Sequence, residues 1–285
     1  MARTDDESAV QPAGKSDHHG QSFDAPGFWE SYQNAAHDRR IEDTIECLPP
    51  DAHTLLDVGC GNGLFVNTLT GSAPDRFERV VGLDLSEEAL KDVHVEKVRG
   101  SITDLPFEPG SFDLVTCLEV VEHIPQPEFE AALAELRRVS SKYVLLTVPN
   151  NQDLRLGFVV CRKCHCRFNH HYHLRSFNRS SLPGLLAPLR LVTVEEIGPA
   201  KKSHSYGRLL ADLYLHMCRP APPDRTTCPQ CGQTYGGGVE GRAKSPSRGG
   251  LAAALLGAAK GLVNVFAPVR GRTPWLLALY EKTDG

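Results

Sequence analysis

The sequence predicts an α/β fold built on a doubly wound, mostly parallel sheet. Three observations carry that prediction. Short apolar runs alternate with helix-like segments along the first two thirds of the chain. The first run is followed at once by a glycine-rich turn, Gly59-Cys60-Gly61-Asn62-Gly63, and a helical pattern. The second run closes on an acidic residue, Asp84. Alternation of this kind implies parallel strands whose two faces are both covered.

The elements read in order as follows. Aromatic residues Phe28, Trp29 and Tyr32 open a helix that continues to about Leu48. Strands are expected at Thr54–Val58, Val80–Asp84, Val95–Arg99, Leu114–Leu118 and Tyr143–Val148. Helical patterns fill the gaps, for example Glu128–Val139 with apolar Phe129, Leu133 and Leu136. Ser176–Leu182 reads as a capped helix start and Leu191–Ile197 alternates like a strand. Trp275–Glu281 is a final apolar run. Residues 198–274 form an excursion too long to be structureless, so it should carry its own structure.

Composition bounds the function. The chain has 285 residues, enough for one large domain or one plus an insertion, and its 41% hydrophobic content suffices for a sizeable core. A net charge of −4 exerts no overall pull toward nucleic acid. Residues 1–22 are polar and read as a disordered tail, with no signal peptide, so a cytoplasmic location is expected. The apolar stretch 249–267 is interrupted by Lys260 and small residues; it reads as a packed or interfacial helix, not a membrane span.

Nine cysteines without an export signal argue against a disulfide framework. Their spacing is the sharper signal. Cys161-Arg162-Lys163-Cys164 and Cys228-Pro229-Gln230-Cys231-Gly232 are both Cys-x-x-Cys, and together they offer four thiolates to one tetrahedral zinc ion. Cys166 and the nearby histidines are alternative ligands; free buried thiols or a redox pair are the other readings. Cys47, Cys60, Cys117 and Cys218 have no partner at motif spacing.

The glycine turn has the form Gly-x-Gly-x-Gly, with Asp57 just before it. Glycines allow close backbone approach, and a helix N-terminus offers unpaired N–H groups. An aspartate at position 57 repels a pyrophosphate and welcomes a cationic amino-acid group, while Asp84 can accept ribose hydroxyl protons. The stretch resembles motif I of the class I S-adenosylmethionine-dependent methyltransferases. Gly100–Phe107, Ser111–Glu119 and Tyr143–Asn150 match that family's adenine-side, fourth-strand and fifth-strand motifs, in order, over roughly residues 50–195. The resemblance implies a Rossmann-like sheet of seven strands with one, the last, antiparallel beside the fifth. It divides the chain into a helical segment over the cofactor (23–50), a methyltransferase domain (51–198 plus 274–285), and insertions (155–175 and 199–273) that form a lid with a zinc site.

By the same resemblance, Asp57, Gly59, Cys60 and Gly61 hold the methionine end of the cofactor. Asp84 holds the ribose, Leu85, Ile102 and Asp104 flank the adenine, and Leu118 and Glu119 face the reaction centre. Glu119-Val120-Val121-Glu122-His123 and His170-His171-Tyr172-His173 resemble segments of two subfamilies. Ubiquinone-pathway O-methyltransferases share the Glu-x-x-Glu-His pattern. Small-RNA 3′-terminal 2′-O-methyltransferases share it and add a His-x-His; there two glutamates and two histidines hold a divalent cation. Glu119, Glu122, His123 and His171 or His173 are the matching set. Such ligands suit Mn, Fe, Co or Zn better than Mg. Without a metal, His123, His171 or His173 is the candidate general base, and Arg175 a candidate binder of a carboxylate or phosphate. The expected activity is O-methylation of a small molecule or glycan. RNA methylation, with Arg155, Arg162, Lys163, Arg167 and Arg175 as a phosphate track, and a non-catalytic scaffold are the alternatives. Oligomeric state is not specified by these features.

Overall fold

The computed structural model describes residue 29 and residues 35–204, 221–224, 226–235 and 269–283. The expected tail at 1–22, Cys218 and the apolar stretch 249–267 lie outside the described residues.

A helix α1 (Ala35–Glu46) leads into β1 (Thr54–Val58), α2 (Leu64–Ser72) and β2 (Arg79–Asp84). There follow β3 (Glu96–Arg99), β4 (Phe112–Leu118), α3 (Gln126–Val139) and β5 (Ser140–Pro149). Two short strands, β6 (Phe158–Val160) and β7 (Arg167–Asn169), make a hairpin before β8 (Arg190–Ile197). The excursion supplies β9 (Lys201–His204), β10 (Thr226–Thr227), β11 (Thr234–Tyr235) and β12 (Val269–Arg272), and β13 (Trp275–Glu281) completes the sheet.

The main sheet has seven strands in the order β3-β2-β1-β4-β5-β13-β8. β13 runs antiparallel to both β5 and β8, and the other pairings are parallel. This is the expected arrangement of a mostly parallel sheet with one antiparallel strand beside the fifth. β1 and β13 have the expected bounds; β4 and β5 start earlier than their apolar runs.

Central strands are buried on both faces, so alternate residues feed two separate cores. Leu56, Val58, Val115, Leu146 and Ala278 pack on one face with α3, through Phe129, Leu133 and Leu136. Leu55, Leu114, Leu145 and Leu277 pack on the other with Ile41 of α1 and Phe65 and Leu69 of α2. The edge strands β3 and β8 are largely exposed and charged, which discourages pairing with another chain.

Two expectations differ from the structure. The gaps hold fewer helices than the pattern suggests: a 3-10 turn, Ala89–Asp92, is the helical element between β2 and β3. The capped start at Ser176–Leu182 is followed by turns, not a helix. Asn178 Oδ1 accepts from the N–H groups of Ser180 and Ser181, closing the capping geometry. Pro183, Gly184 at φ 80° and Pro188 then block helical propagation.

The excursion leaves β8 and returns to β13 as a paired ribbon, β9 against β12 in antiparallel register. Among the described residues no helix is long and apolar enough to cross a membrane.

Candidate functional site

The glycine turn lies at the C-terminal end of β1, where a doubly wound sheet opens its crevice. Gly59, Gly61 and Gly63 all have positive φ, at 75°, 54° and 77°. Leu83 O accepts from the N–H groups of both Gly59 and Cys60, so the turn is stitched to β2. Asp84 has a part in the turn that sequence reading missed: its Oδ2 accepts from Gly61 N at 2.8 Å, and its Oδ1 from Ser86 N at 2.8 Å. A Cβ on Gly61 would stand 2.6 Å from the Trp29 ring, and one on Gly59 2.4 Å from Val120 Cγ2. The turn therefore sits between Trp29 and the Glu119–His123 segment.

These residues fit a nucleoside-type cofactor carrying a cationic amino-acid end. The glycine cradle admits no side chain, Asp57 is 2% exposed, and Leu85 beside Asp84 presents an apolar surface that is 58% exposed. Burial pushes the Asp57 carboxyl up to about 7, against the pull of the Thr116 hydroxyl, which donates to Oδ1 at 2.7 Å. Cys60 contributes backbone alone, since its thiol faces the Gly82 position of β2. Ile102 packs on the core, Leu118 is nearly buried at the end of β4, and Asp104 is exposed, bridged to Ser101.

The second wall begins where β4 ends. Glu119 has φ 60° and donates its N–H to Thr147 O. Its Oε2 accepts from the Trp275 indole N–H at 2.6 Å, while Oε1 has no hydrogen-bond partner. Glu122 lies in a 3-10 turn, Val121–His123, is fully buried, and has no hydrogen-bond partner for either carboxylate oxygen. Burial raises the pKa of both acids, Glu119 to about 7 and Glu122 further under the added repulsion of Glu119.

His173 comes from the segment after β7. Its Nε2 lies 4.0 Å from Glu122 Oε1, and its ring centroid is 4.7 Å from that of His123. Nδ1 bonds Gln152 Oε1, which can only accept, so Nδ1 carries the proton and Nε2 offers a lone pair. Burial lowers the pKa of His173 to about 3 and of His171 to about 4, so both imidazoles are neutral.

Of the four residues matched to a divalent site, the structure brings three donors together, Glu122, His123 and His173, within 4.8 Å of one another. Glu119 stands apart on Trp275, and His171 lies tilted against His170 with ring centroids 3.9 Å apart. Arg175 is committed within the protein: it donates to Val121 O at 2.7 Å and lies 3.7 Å from the centre of the Phe129 ring. It braces the 3-10 turn, which weakens its candidacy as an anion binder.

Sequence reading also missed Arg40 and Gln152. Arg40, 8% exposed on α1, reaches Thr147 Oγ1 at 3.4 Å and lies over the Trp275 ring. Its charge favours the ionised forms of Asp57, Glu119 and Glu122, making it the cation shared by the acidic pocket. No local spacing marks it, because its partners come from β1, β5 and β13.

The cysteines form a separate cluster. Cys161, Cys164, Cys228 and Cys231 place their sulfur atoms within 4.8 Å of one another, although they lie on the β6–β7 and β10–β11 hairpins.

Residues 56–146 match the family model described as Methyltransferase domain. A ubiquinone biosynthesis O-methyltransferase of Burkholderia multivorans is 29% identical over 184 residues, 58% of this chain and 78% of that protein. One from Leptothrix cholodnii is 31% identical over 132 residues, 42% of this chain, and only 54% of its length is spanned. The fold is similar to a structure of a Haloferax volcanii methyltransferase complex with the Trm112 methyltransferase activator, with TM-score 0.54 at 12% identity over 95% of this chain and 100% of that one. Residues 56–146 are thus a methyltransferase domain, and the strand order and glycine turn around it are similar to those of the class I S-adenosylmethionine-dependent methyltransferases.

Proposed function

We propose that the protein methylates a hydroxyl oxygen of a small molecule or glycan, with His173 as general base. The observation that carries this reading is the Gln152–His173–Glu122 alignment on the wall that adjoins the glycine turn through Val120. Gln152 fixes the tautomer, so Nε2 is the lone pair available to the acceptor; burial keeps it weakly basic, so it takes the proton as methyl transfer makes the acceptor oxygen strongly acidic. The names of the Burkholderia and Leptothrix relatives support an O-methyl product.

When bound, S-adenosylmethionine supplies an electrophilic sulfonium methyl group. Asp57 would hold its amino end, Asp84 the ribose, and Leu85 with Ile102 and Asp104 the adenine side. Gly59, Cys60 and Gly61 would line it with backbone, and Leu118 and Glu119 would flank the reacting end. Alignment supplies most of the rate in such a transfer. In the same reading the four-cysteine cluster is a structural zinc site, apart from the reaction centre.

A second reading is favoured by the orphaned carboxylate of Glu122. It places a divalent cation on Glu122, His123 and His173, with a ribose hydroxyl at an RNA end as acceptor. The mixed carboxylate and imidazole donors suit Mn, Fe, Co or Zn.

The test is methyl transfer from labelled donor to a panel of catechols and sugars, beside a short RNA. Under the first reading His173→Ala lowers kcat at least about 100-fold with donor affinity unchanged, and added Mn has no effect on the chemistry. Equal kcat in the variant sinks the base assignment. Activity on RNA alone, lost with a chelator and restored by Mn, moves the conclusion to the second reading.

A further inference from the structure

We propose that Cys161, Cys164, Cys228 and Cys231 bind one zinc ion, and that this ion holds the His170–Arg175 strap across the acidic wall. The second half rests on the reading that His173 works at the reaction centre.

The thiol geometry excludes a disulfide and fits a metal. Cys161 Sγ lies 3.7 Å from Cys231 Sγ, and Cys164 Sγ 3.6 Å from Cys228 Sγ. A disulfide needs about 2.05 Å. Four sulfurs at about 2.3 Å from a tetrahedral zinc stand about 3.8 Å apart. The two knuckles are built alike. His165 N donates to Cys161 O, and Gly232 N to Cys228 O. His165 and Gly232, each just after the second cysteine, both adopt positive φ, 61° and 67°. Peptide N–H groups of Lys163 and Cys164 point at the Cys161 sulfur, and those of Gln230 and Cys231 at Cys228, where they disperse thiolate charge.

Among the described residues the module has little else to hold it. Its buried apolar residues are Val159, Cys161, Cys166, Phe168, Tyr172 and Cys228. A core this small needs a metal or a covalent staple. Cys166 is buried in it but stands outside the four-sulfur group, with its thiol directed to Arg167 O.

Tyr172 transmits the constraint. Its hydroxyl donates to Thr227 O at 3.0 Å and accepts from Thr227 N at 2.8 Å, so it is bolted to the residue before Cys228. Its own backbone has φ 61°. The next residue is His173. Leu174 N then donates to Glu122 O at 2.8 Å, and Arg175 to Val121 O. The strap is thus pinned at one end by the thiol module and at the other by the turn that carries Glu122.

The experiment uses the full chain. Zinc is measured by elemental analysis, and cobalt is exchanged in to read the thiolate-to-metal charge-transfer and tetrahedral d–d bands. Amide hydrogen exchange is followed before and after chelation. The expected result is about one zinc per chain, a tetrathiolate cobalt spectrum, and exchange at the Leu174 amide at least tenfold faster without metal. Peptides from β1 and β4 should keep their protection. Tyr172→Phe should keep its zinc and still speed exchange at Leu174. Protein that carries no metal and gives no cobalt bands overturns the site. A Leu174 amide indifferent to chelation overturns the strap. S-adenosylmethionine titration of the same samples reports separately on the methyltransferase site.

Discussion

Replacing Asp57 by asparagine tests the electrostatics of the cofactor crevice directly. Asp57 is fully enclosed at the end of β1, and burial moves its carboxyl from 3.8 to about 7. The native state therefore keeps a proton that the unfolded chain releases near pH 4. Between those values stability falls as pH rises, by about 1.4 kcal/mol per pH unit, and it levels off above about pH 7. The whole interval amounts to about 4 kcal/mol. The asparagine side chain of the variant cannot titrate, and its oxygen still accepts the Thr116 hydroxyl. The assay is urea unfolding of both proteins from pH 4 to 8. The variant's advantage should grow from near zero at pH 4 to about 4 kcal/mol at pH 7, and then hold constant. Glu119 and Glu122 titrate in both proteins, so the difference isolates Asp57. A difference that is independent of pH, or that grows toward acid, refutes the reasoning. On the proposed reading, in which Asp57 faces the amino end of S-adenosylmethionine, the same substitution should weaken donor binding above about pH 7, where the carboxyl is ionised.

Other outcomes follow from single contacts. Gly61→Ala places a Cβ 2.6 Å from the Trp29 ring at φ 54°. Left-handed backbone costs about 1–2 kcal/mol, so calorimetric titration should show donor affinity reduced at least about tenfold; unchanged affinity would remove the glycine cradle from the binding site. Tyr280→Phe deletes the hydroxyl that donates to Leu182 O at 2.9 Å in the buried core. It should lose about 1–3 kcal/mol in denaturant unfolding, and a loss under a few tenths would mean that Leu182 O finds another donor.

Much of the fold was legible because its signals are local. Apolar runs such as Thr54–Val58 and Trp275–Glu281 are bounded by turns and buried on both faces, so their limits coincide with the strands. Ser140 to Lys142 were unreadable as strand because they are polar; Ser140 is drawn into β5 by pairing with Phe112 of β4, and the pairing with β13 begins only at Tyr143. Ser176–Leu182 misled because an asparagine that closes a turn looks like one that caps a helix. In the site, Asp57, Asp84 and the glycines could be read from spacing. The Trp275–Glu119 bond could not, since its partners are 156 positions apart. Arg40 and Gln152 were missed for the same reason: each acquires its role from strands or straps distant in sequence. The two cysteine pairs were legible from spacing as one four-thiolate set, and the structure brings their sulfur atoms within 4.8 Å of one another.

The position of β13 also has a consequence for the order of assembly. It is paired antiparallel on both sides, residue by residue, with β5 and with β8. A ribosome makes β5 and β8 long before it makes Trp275–Glu281. Until then both strands expose open backbone edges, with Leu145, Leu146 and Val148 on one of them. The nascent chain must pass through a stage in which five of the seven strands can pair and the strand that joins β8 to them is missing. That gap is the natural place for a chaperone to bind during synthesis, and for two incomplete chains to pair with each other instead.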